Sequence, residues 1–201
     1  DLVPVGRVEE AVARLRSGGN CMIMVGGGAE LTTERGLKAN RIAKACGARI
    51  NTDVFPTRVA RGGGTAVIER LPYLAELAID HLKDVEQLIL IGAPSPVSFF
   101  AYPDKKSYLV PDHCTVQSLN EPEQDALKSL QALVDAVGAT NTQPALPPLE
   151  RPKLPGGKLT AAKVCQAVGA LLPENAIISD EAQTSGVMLP ASTAHVPKHD
   201  V

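Results

Sequence analysis

Two short apolar runs, each ending in glycine, constrain the fold of this chain most strongly. The first, Cys21–Val25, leads into three glycines at 26–28, and the second, Gln87–Ile91, leads into Gly92. A strand without a polar face must be covered on both sides, as central strands of a parallel sheet are covered by helices. The sequence therefore predicts a sheet with buried central strands.

Apolar residues at spacings of three and four recur between these strands and predict amphipathic helices. The stripes are Val5, Val8, Val12 and Leu15; Ala39, Ile42, Ala43 and Cys46; Leu71, Leu74, Ala75, Ala78, Ile79 and Leu82; and Leu127, Leu130, Val134 and Val137. For the helix that contains Leu127 to Val137 we predict a capping box of Asn120 and Glu123, with Pro122 in the first turn and Gly138 at the end. Strands and helices that alternate in this way predict an α/β fold with a doubly wound, mainly parallel, Rossmann-like sheet flanked by helices.

Three weaker segments, residues 48–51, 107–110 and 115–118, are predicted to add strands to this sheet. Residues 52–64 are predicted to form a loop that ends in three glycines. Arg58 and Arg61 in this loop suit either an anion-binding loop or ordinary exposed arginines, and the sequence leaves both readings open.

A proline-rich segment divides the chain. Residues 139–158 contain five prolines and no helical or strand period, which predicts an interdomain linker between a central α/β domain at 1–138 and a second α/β domain at 159–201. In the second domain we predict a helix capped by Thr160, a buried strand at 176–178 and no later element. One helix and one strand bury too little surface to fold alone, and the chain begins at Asp1. We therefore expect a truncated domain and a piece of a longer protein.

The composition excludes several classes of protein. The formal net charge is −2 without a basic segment, so nucleic acid is not an expected partner. No apolar run approaches the roughly 18 residues of a membrane helix, and the N-terminus lacks a signal-peptide pattern. Four dispersed cysteines form no metal or disulfide motif and predict reduced thiols in a cytoplasmic protein. His195 and His199 lie in a proline-flanked tail without a third ligand, so we expect no metal site.

Two segments contain candidate site residues. The turn formed by Gly26, Gly27, Gly28 and Ala29 follows a predicted strand, where it suits either a phosphate cradle or a plain tight turn. The spaced dinucleotide fingerprint is absent, and Asp53 is the acidic residue near the end of the second strand. Asp180 and Glu181 follow the strand predicted at 176–178, where they suit either a ligand site or the cap of a following helix.

Three longer segments resemble the thiamine-diphosphate-dependent enzymes of the acetolactate synthase and benzoylformate decarboxylase group. They read CMIMVGGGAE with ACGARINTD; ERLPYLAELAIDHLKDVEQLILIGAPSPVSFFAYPDKKSYLVP; and LTAAKVCQAVGALLPENAIISDEAQTSG. The resemblance implies a parent of three α/β domains, of which this chain is the middle domain and the start of the diphosphate-binding domain. The missing N- and C-terminal domains would be its partners, in a homodimer or homotetramer of the full-length protein.

The resemblance also implies a function for the parent, which would bind thiamine diphosphate and magnesium and act on a 2-keto acid as a carboligase or decarboxylase. The residues that correspond to the turn near the cofactor diphosphate are Asp180, Glu181, Gln183, Thr184 and Ser185. The activating glutamate belongs to the missing N-terminal domain, and the magnesium-binding Gly-Asp-Gly segment does not occur here. We therefore expect no catalytic residue, no bound cofactor and no activity in this chain alone.

A nucleotide site is a further implication. Some relatives bind FAD or an ADP-containing ligand beside a turn that matches Gly26, Gly27, Gly28 and Ala29. The segment APSPVSFFAYP stands where FAD-binding relatives have an arginine-containing segment, which argues against FAD. The resemblance thus predicts a structural middle domain with a vestigial nucleotide site, and the alternative is a stand-alone nucleotide-binding module for FAD or ADP.

Overall fold

The computed structural model describes residues 2–26, 31–182 and 184–201. In chain order the helices and strands of these residues are α1 (Val5–Leu15), β1 (Cys21–Val25), α2 (Thr33–Cys46), β2 (Arg49–Thr52), β3 (Ala60–Arg61), β4 (Glu69–Arg70), α3 (Ala75–Leu82), β5 (Gln87–Ile91), β6 (Thr115–Ser118), α4 (Ala126–Ala136), α5 (Ala161–Leu171), β7 (Ala176–Ile177), α6 (Leu189–Thr193) and β8 (His199–Asp200).

Contacts divide the chain into two compact units. The first contains Asp1–Thr57 and Ile68–Pro144, and the second contains Arg58–Val67 and Ala145–Val201. Residues 58–67 thus belong to the second unit although the first unit surrounds them in the sequence. The predicted division into 1–138, 139–158 and 159–201 and the domain identities stay predictions. Residues 139–158 contain neither helix nor strand.

The first unit contains a five-stranded sheet in the order β4-β2-β1-β5-β6, in which all neighbouring strands are parallel. Ile23 of β1 lies at the centre, paired in register with Ile50 on one side and Ile89 on the other. The predicted α/β fold with a mainly parallel sheet flanked by helices is confirmed, and β1 and β5 have the predicted bounds.

Helices cover the central strands on both faces. Met22, Met24, Leu88 and Leu90 join the apolar side of α3 in one buried cluster. Because side chains alternate along a strand, Ile23 points to the opposite face, where α1 and α2 both contact α4. This two-sided burial explains why β1 and β5 have no polar period.

The predicted start of the last helix in the first unit is wrong. Helix α4 begins at Ala126, and the side chain of Asp125 caps it by accepting hydrogen bonds from the N–H groups of Leu127 (3.0 Å) and Lys128 (3.1 Å). Asn120 lies too far upstream to reach this helix and accepts instead from the N–H of Gly92 at 3.0 Å. The predicted end at Gly138 is consistent with the structure, since Gly138 has a φ of +74°.

The strand predicted at 107–110 is also wrong. The segment pairs locally with the start of its own loop: the N–H of Ser98 donates to the carbonyl of Ser107 at 2.7 Å, and Val97 and Tyr108 form an isolated antiparallel bridge. Leu109 supplies the apolar signal, because it packs in the α3 cluster without joining the sheet.

The second unit contains a small sheet that the sequence did not predict, in the order β3-β8-β7. Strand β8 lies in the middle, antiparallel to β3 and parallel to β7. Each strand has two residues, which is too short to show a period of two. The strand predicted at 176–178 is present as β7, but its predicted burial is wrong, because β7 lies at the edge of the sheet and Ile177 is 72% exposed. Helix α5 begins after Thr160 as predicted, with the Thr160 hydroxyl accepting from the N–H of Lys163 at 3.3 Å.

Among the described residues, none of the helices has the length and apolar character required to cross a membrane.

Candidate functional site

The carboxyl edge of the parallel sheet brings together residues that are far apart in the sequence. Gly26 follows β1, Asp53 follows β2, Gly92 follows β5, and Asn120 lies just beyond β6. The chain leaves β1 towards β2 on one side and later returns to β5 on the other side. In sheets of this kind ligands bind where the winding direction changes, here between β1 and β5.

Two glycines allow the turns after β1 and β5 to approach closely. The N–H of Gly26 donates to the carbonyl of Ile91 at 3.2 Å. Gly92 has a φ of +62°, and a Cβ placed on it would lie 2.8 Å from the carbonyl oxygen of Gly26. A larger residue at Gly92 would strain the backbone and force the two turns apart.

Asn120 fixes the turn after β5. Its side chain is 4% exposed, accepts from the N–H of Gly92 at 3.0 Å and donates through Nδ2 to the carbonyl of Glu121 at 3.0 Å. Both ends of the amide are therefore engaged with the backbone. The sequence missed this role because it depends on the neighbourhood of β5 and β6 in the sheet.

The carboxylate of Asp53 lies against the glycine turn. A Cβ placed on Gly26 would lie 3.1 Å from both Cγ and Oδ2 of Asp53. A side chain at Gly26 would therefore collide with this carboxylate. Whether the glycine turn binds a nucleotide stays a prediction.

The other three residues predicted for the glycine turn, Gly27, Gly28 and Ala29, lie outside the described residues, and their role stays a prediction. The same holds for Gln183 in the second predicted segment.

The remaining residues of that second segment form an exposed turn in the second unit. Oδ1 of Asp180 accepts from the N–H of Ala182 at 3.0 Å, and the N–H of Gly186 donates to the carbonyl of Ala182 at 3.1 Å. Asp180, Glu181, Thr184 and Ser185 are exposed. The next helix, α6, has no side-chain cap, so neither carboxylate caps a helix. Proximity of these residues to a cofactor diphosphate stays a prediction.

The described residues contain no group of three or more His, Cys, Asp or Glu side chains that could hold a metal ion. The exposed carboxylates of Asp180 and Glu181 therefore do not amount to a magnesium site within this part of the chain. Cofactor binding by these residues stays a prediction.

The four cysteines are free thiols. Burial raises the pKa of Cys21, Cys46 and Cys114 above the ordinary value of a thiol. A raised pKa lowers the fraction of thiolate, which is the nucleophilic form. None of these three thiols is a candidate nucleophile.

The loops at the carboxyl edge also carry a group of aromatic rings that the sequence did not predict. Phe55 follows β2, Tyr73 follows β4, and Phe99, Phe100 and Tyr102 follow β5. The rings contact one another through six pairs with centroid distances between 4.8 and 6.1 Å. We call these five residues the aromatic cluster.

Comparison with known proteins gives the family. A Mycobacterium tuberculosis protein, provisionally described as the acetolactate synthase large subunit IlvX, is 49% identical over 187 residues, which are 92% of this chain. This chain is a homologue of an acetolactate synthase large subunit. The description of this relative agrees with the resemblance carried by the three segments of the sequence.

A comparison with solved structures agrees on the fold, and the chain matches only part of each relative. This chain matches the crystal structure of a provisionally assigned thiamin diphosphate-dependent enzyme from Mycobacterium smegmatis with a TM-score of 0.61 and 14% identity. The match covers 96% of this chain and 40% of that one. At this identity the match shows the fold alone. No family model matches the sequence. The chain spans 36% of the length of the M. tuberculosis relative.

Proposed function

We propose that this chain is the central part of a thiamine-diphosphate-dependent 2-keto acid enzyme of the acetolactate synthase type, and that it acts structurally without activity of its own. The observation that supports this proposal most directly is the 49% identity over 92% of the chain, in a match that covers 36% of the relative. The parent would be a carboligase or decarboxylase in which thiamine diphosphate supplies the carbanion chemistry and the protein orients it.

Two features of the chain support a structural role. The Gly-Asp-Gly segment that binds magnesium and diphosphate in the family does not occur in the sequence. The charged residues Asp180 and Glu181 lie on an exposed turn, and Asp180 uses one carboxylate oxygen to accept from Ala182. In the parent, this turn would form one side of the cofactor site.

The test is turnover by the purified chain. The chain is incubated with thiamine diphosphate, Mg²⁺ and either pyruvate or benzoylformate, and carbon dioxide release is measured beside calorimetric titration of the cofactor. We expect no release above the protein-free control and no saturable binding. Far-UV circular dichroism confirms that the sample is folded. Turnover by the folded chain would show that the proposal is wrong.

The change of winding direction between β1 and β5 favours a second candidate function, a stand-alone nucleotide-binding module. Gly26 and Gly92 follow β1 and β5 directly, at the carboxyl ends of the strands where sheets of this kind bind nucleotides. Titration with adenosine, ADP, FAD and NAD separates the candidates: micromolar binding of any of them favours the module.

The partners and location also belong to the proposal. The flanking domains of the parent would be the direct partners, in a homodimer or homotetramer in the cytoplasm. The four free thiols support a reducing compartment. Size-exclusion chromatography and fractionation of cells that express the full-length protein test both statements.

A further inference from the structure

A side-chain contact in the first unit joins the end of α3 to the start of β2. Arg49 is the first residue of β2, and His81 lies in the last turn of α3. Nη2 of Arg49 lies 3.0 Å from Nε2 of His81 and 2.9 Å from the carbonyl oxygen of the same residue. The two residues are 32 positions apart in the sequence, so the contact depends on the folded chain.

The protonation state of His81 decides whether this contact can form. A guanidinium group has only N–H donors and does not lose its proton in proteins. Nε2 of His81 must therefore be the acceptor, which requires a neutral imidazole with its proton on Nδ1. Protonation of Nε2 would place a donor against a donor and a second positive charge beside Arg49. The hydrogen bond is thus compatible with only one of the two charge states of the ring.

The contact also provides a partner for the end of α3. The last carbonyl groups of a helix need partners outside it, and a glycine in the left-handed conformation often provides the turn that supplies them. Helix α2 ends in this way at Gly47, which has a φ of +68°. After α3, Lys83 has a φ of −53° and provides no such turn. Arg49 donates to the carbonyl of His81 and brings a positive charge to the negative end of the helix. Since Arg49 supplies this charge, α3 does not require a charged His81.

The charged groups that act on His81 come from three elements. They are Arg49 on β2, Glu69 on β4 and Asp80 on α3. Burial lowers the pKa of His81 below its ordinary value of 6.5, and Arg49 lowers it further, whereas Glu69 and Asp80 oppose the shift. Asp80 is also shared with Lys83, whose Nζ lies 2.9 Å from its carboxylate. The balance favours the neutral ring, which is the state that accepts from Arg49.

We propose that Arg49 and His81 form a pH-sensitive clasp, which fastens the last turn of α3 to β2 while His81 is neutral and opens when mild acid protonates it. With the clasp open, His81 binds the proton at its ordinary pKa of 6.5. The clasp is therefore fully present above pH 6.5 and is lost as the pH falls through the lowered pKa. The inference goes beyond the proposed structural role and does not depend on it, because turnover by the chain tests that role separately.

Opening of the clasp is a local change. Leu82 is fully buried and Val85 is 1% exposed, so both continue to anchor the segment between α3 and β5 when the clasp opens. The N–H of Val85 also donates to the carbonyl of Leu82 at 2.9 Å. We therefore expect fraying of the last turn of α3, while the central strand β1 stays protected.

Nuclear magnetic resonance titration tests the charge state. The chain contains four histidines, and the exposed His113 and His195 provide reference values. We expect the ring of His81 to titrate below both, and Arg49→Met to raise its pKa by about 0.5 to 1 unit. Titration of His81 at or above the pKa of His113 and His195 would overturn the proposal, as would an unchanged pKa of His81 in Arg49→Met.

Hydrogen exchange tests the opening. After correction for the intrinsic effect of pH on exchange, protection of the amides in the last turn of α3 should fall about three- to fivefold between about pH 7.5 and about pH 5.5. The amides of β1 serve as the internal reference and should keep their protection. His81→Gln retains an acceptor that does not titrate, so protection in this variant should no longer depend on pH. No loss in the native chain, or an equal loss in His81→Gln, would contradict the clasp.

Lys44→Met is the matched control for Arg49→Met. Lys44 lies in the last turn of α2, is exposed, and donates through Nζ to the carbonyl of Gln143 at 2.8 Å. The control thus removes a cation that binds a carbonyl beside a helix end without touching a histidine. It should keep both the pKa of His81 and the pH dependence of α3. A change of either in Lys44→Met as large as in Arg49→Met would show that the effect does not come from the clasp.

Discussion

His199 illustrates how the surroundings of one residue change its chemistry. In the sequence it belongs to a polar tail and pairs in spacing with His195. In the structure it lies on the middle strand of the small sheet and is 3% exposed, whereas His195 is exposed. Its Nδ1 lies 2.9 Å from the carbonyl oxygen of Pro197, and Nε2 has no hydrogen-bond partner among the described residues. A proton on Nε2 would therefore be a buried, unsatisfied donor.

This burial predicts a pH dependence. Burial lowers the pKa of His199 below its ordinary value of 6.5; Arg61 lowers it further, while the Pro197 carbonyl and Asp200 oppose the shift. Because the unfolded chain binds the proton more readily, stability is retained above pH 6.5 and falls as the pH decreases from 7 to 5. The slope from one histidine is at most about 1.4 kcal/mol per pH unit.

Urea unfolding at several pH values measures this effect. We expect His199→Gln to flatten the dependence of the unfolding free energy on pH between 7 and 5. The exposed His195→Gln serves as the control and should keep the slope of the native chain. An unchanged slope in His199→Gln would show that another group causes the dependence.

Among the elements, helix α4 shows where local sequence patterns reach their limit. Its apolar stripe predicted the helix correctly, but the capping-box pattern at Asn120 and Glu123 did not predict its start. Asp125 is closer to the stripe and accepts from two N–H groups of the first turn. Asn120 instead accepts from the N–H of Gly92, in the turn that follows the neighbouring strand β5.

The two assignments predict opposite results for single substitutions. Asp125→Ala removes the acceptor from the first turn of α4 and should lower Tm by about 3 to 5 °C. Glu123→Ala removes an exposed side chain outside the helix and should leave Tm unchanged. Thermal unfolding followed by circular dichroism compares the two. A larger decrease in Tm for Glu123→Ala than for Asp125→Ala would support the capping box of Asn120 and Glu123 instead.

At the scale of the whole molecule, the chain does not divide at a single point. Residues 58–67 leave the first unit and contribute strand β3 to the second. The N–H of Val59 donates to the carbonyl of Val201 at 2.8 Å, and the N–H of Gly63 donates to the carbonyl of Val196 at 2.8 Å. The C-terminal helix–strand pair, which cannot bury a core alone, thereby gains a third strand.

Gly62 tests this arrangement. It has a φ of +104°, and a Cβ placed on it would lie 2.7 Å from the carbonyl oxygens of Val196 and Pro197. Gly62→Ala should therefore destabilise the second unit by about 2 to 3 kcal/mol. Hydrogen exchange should accelerate across 145–201, while β1 and β5 of the first unit remain protected.

A matched glycine in the second unit provides the control. Gly156 has open space where a Cβ would lie, and its φ is not positive. Gly156→Ala should leave exchange unchanged in both units. Equal loss of protection in β1 and β5 of Gly62→Ala would contradict the division into units.

The sequence by itself determined the elements whose signal is local. The two apolar runs predicted the central strands β1 and β5, the helical stripes predicted α1 to α4, the cap at Thr160 predicted α5, and Gly26 marked the carboxyl edge of the sheet. Each signal lies within a window of five to fifteen residues, so it can be read without knowing the neighbours in space.

The tertiary structure alone decided which distant residues meet. It placed Asp53 against Gly26, joined Asn120 to Gly92, gathered the aromatic cluster from three loops and built a sheet from two-residue strands. These outcomes depend on the order of strands in the sheets and on contacts between segments that are far apart in the sequence. The ion pair of Arg58 and Asp200, for example, joins residues 142 positions apart. A two-residue strand or a single buried side chain has no period, so its position follows from the fold and not from the local sequence.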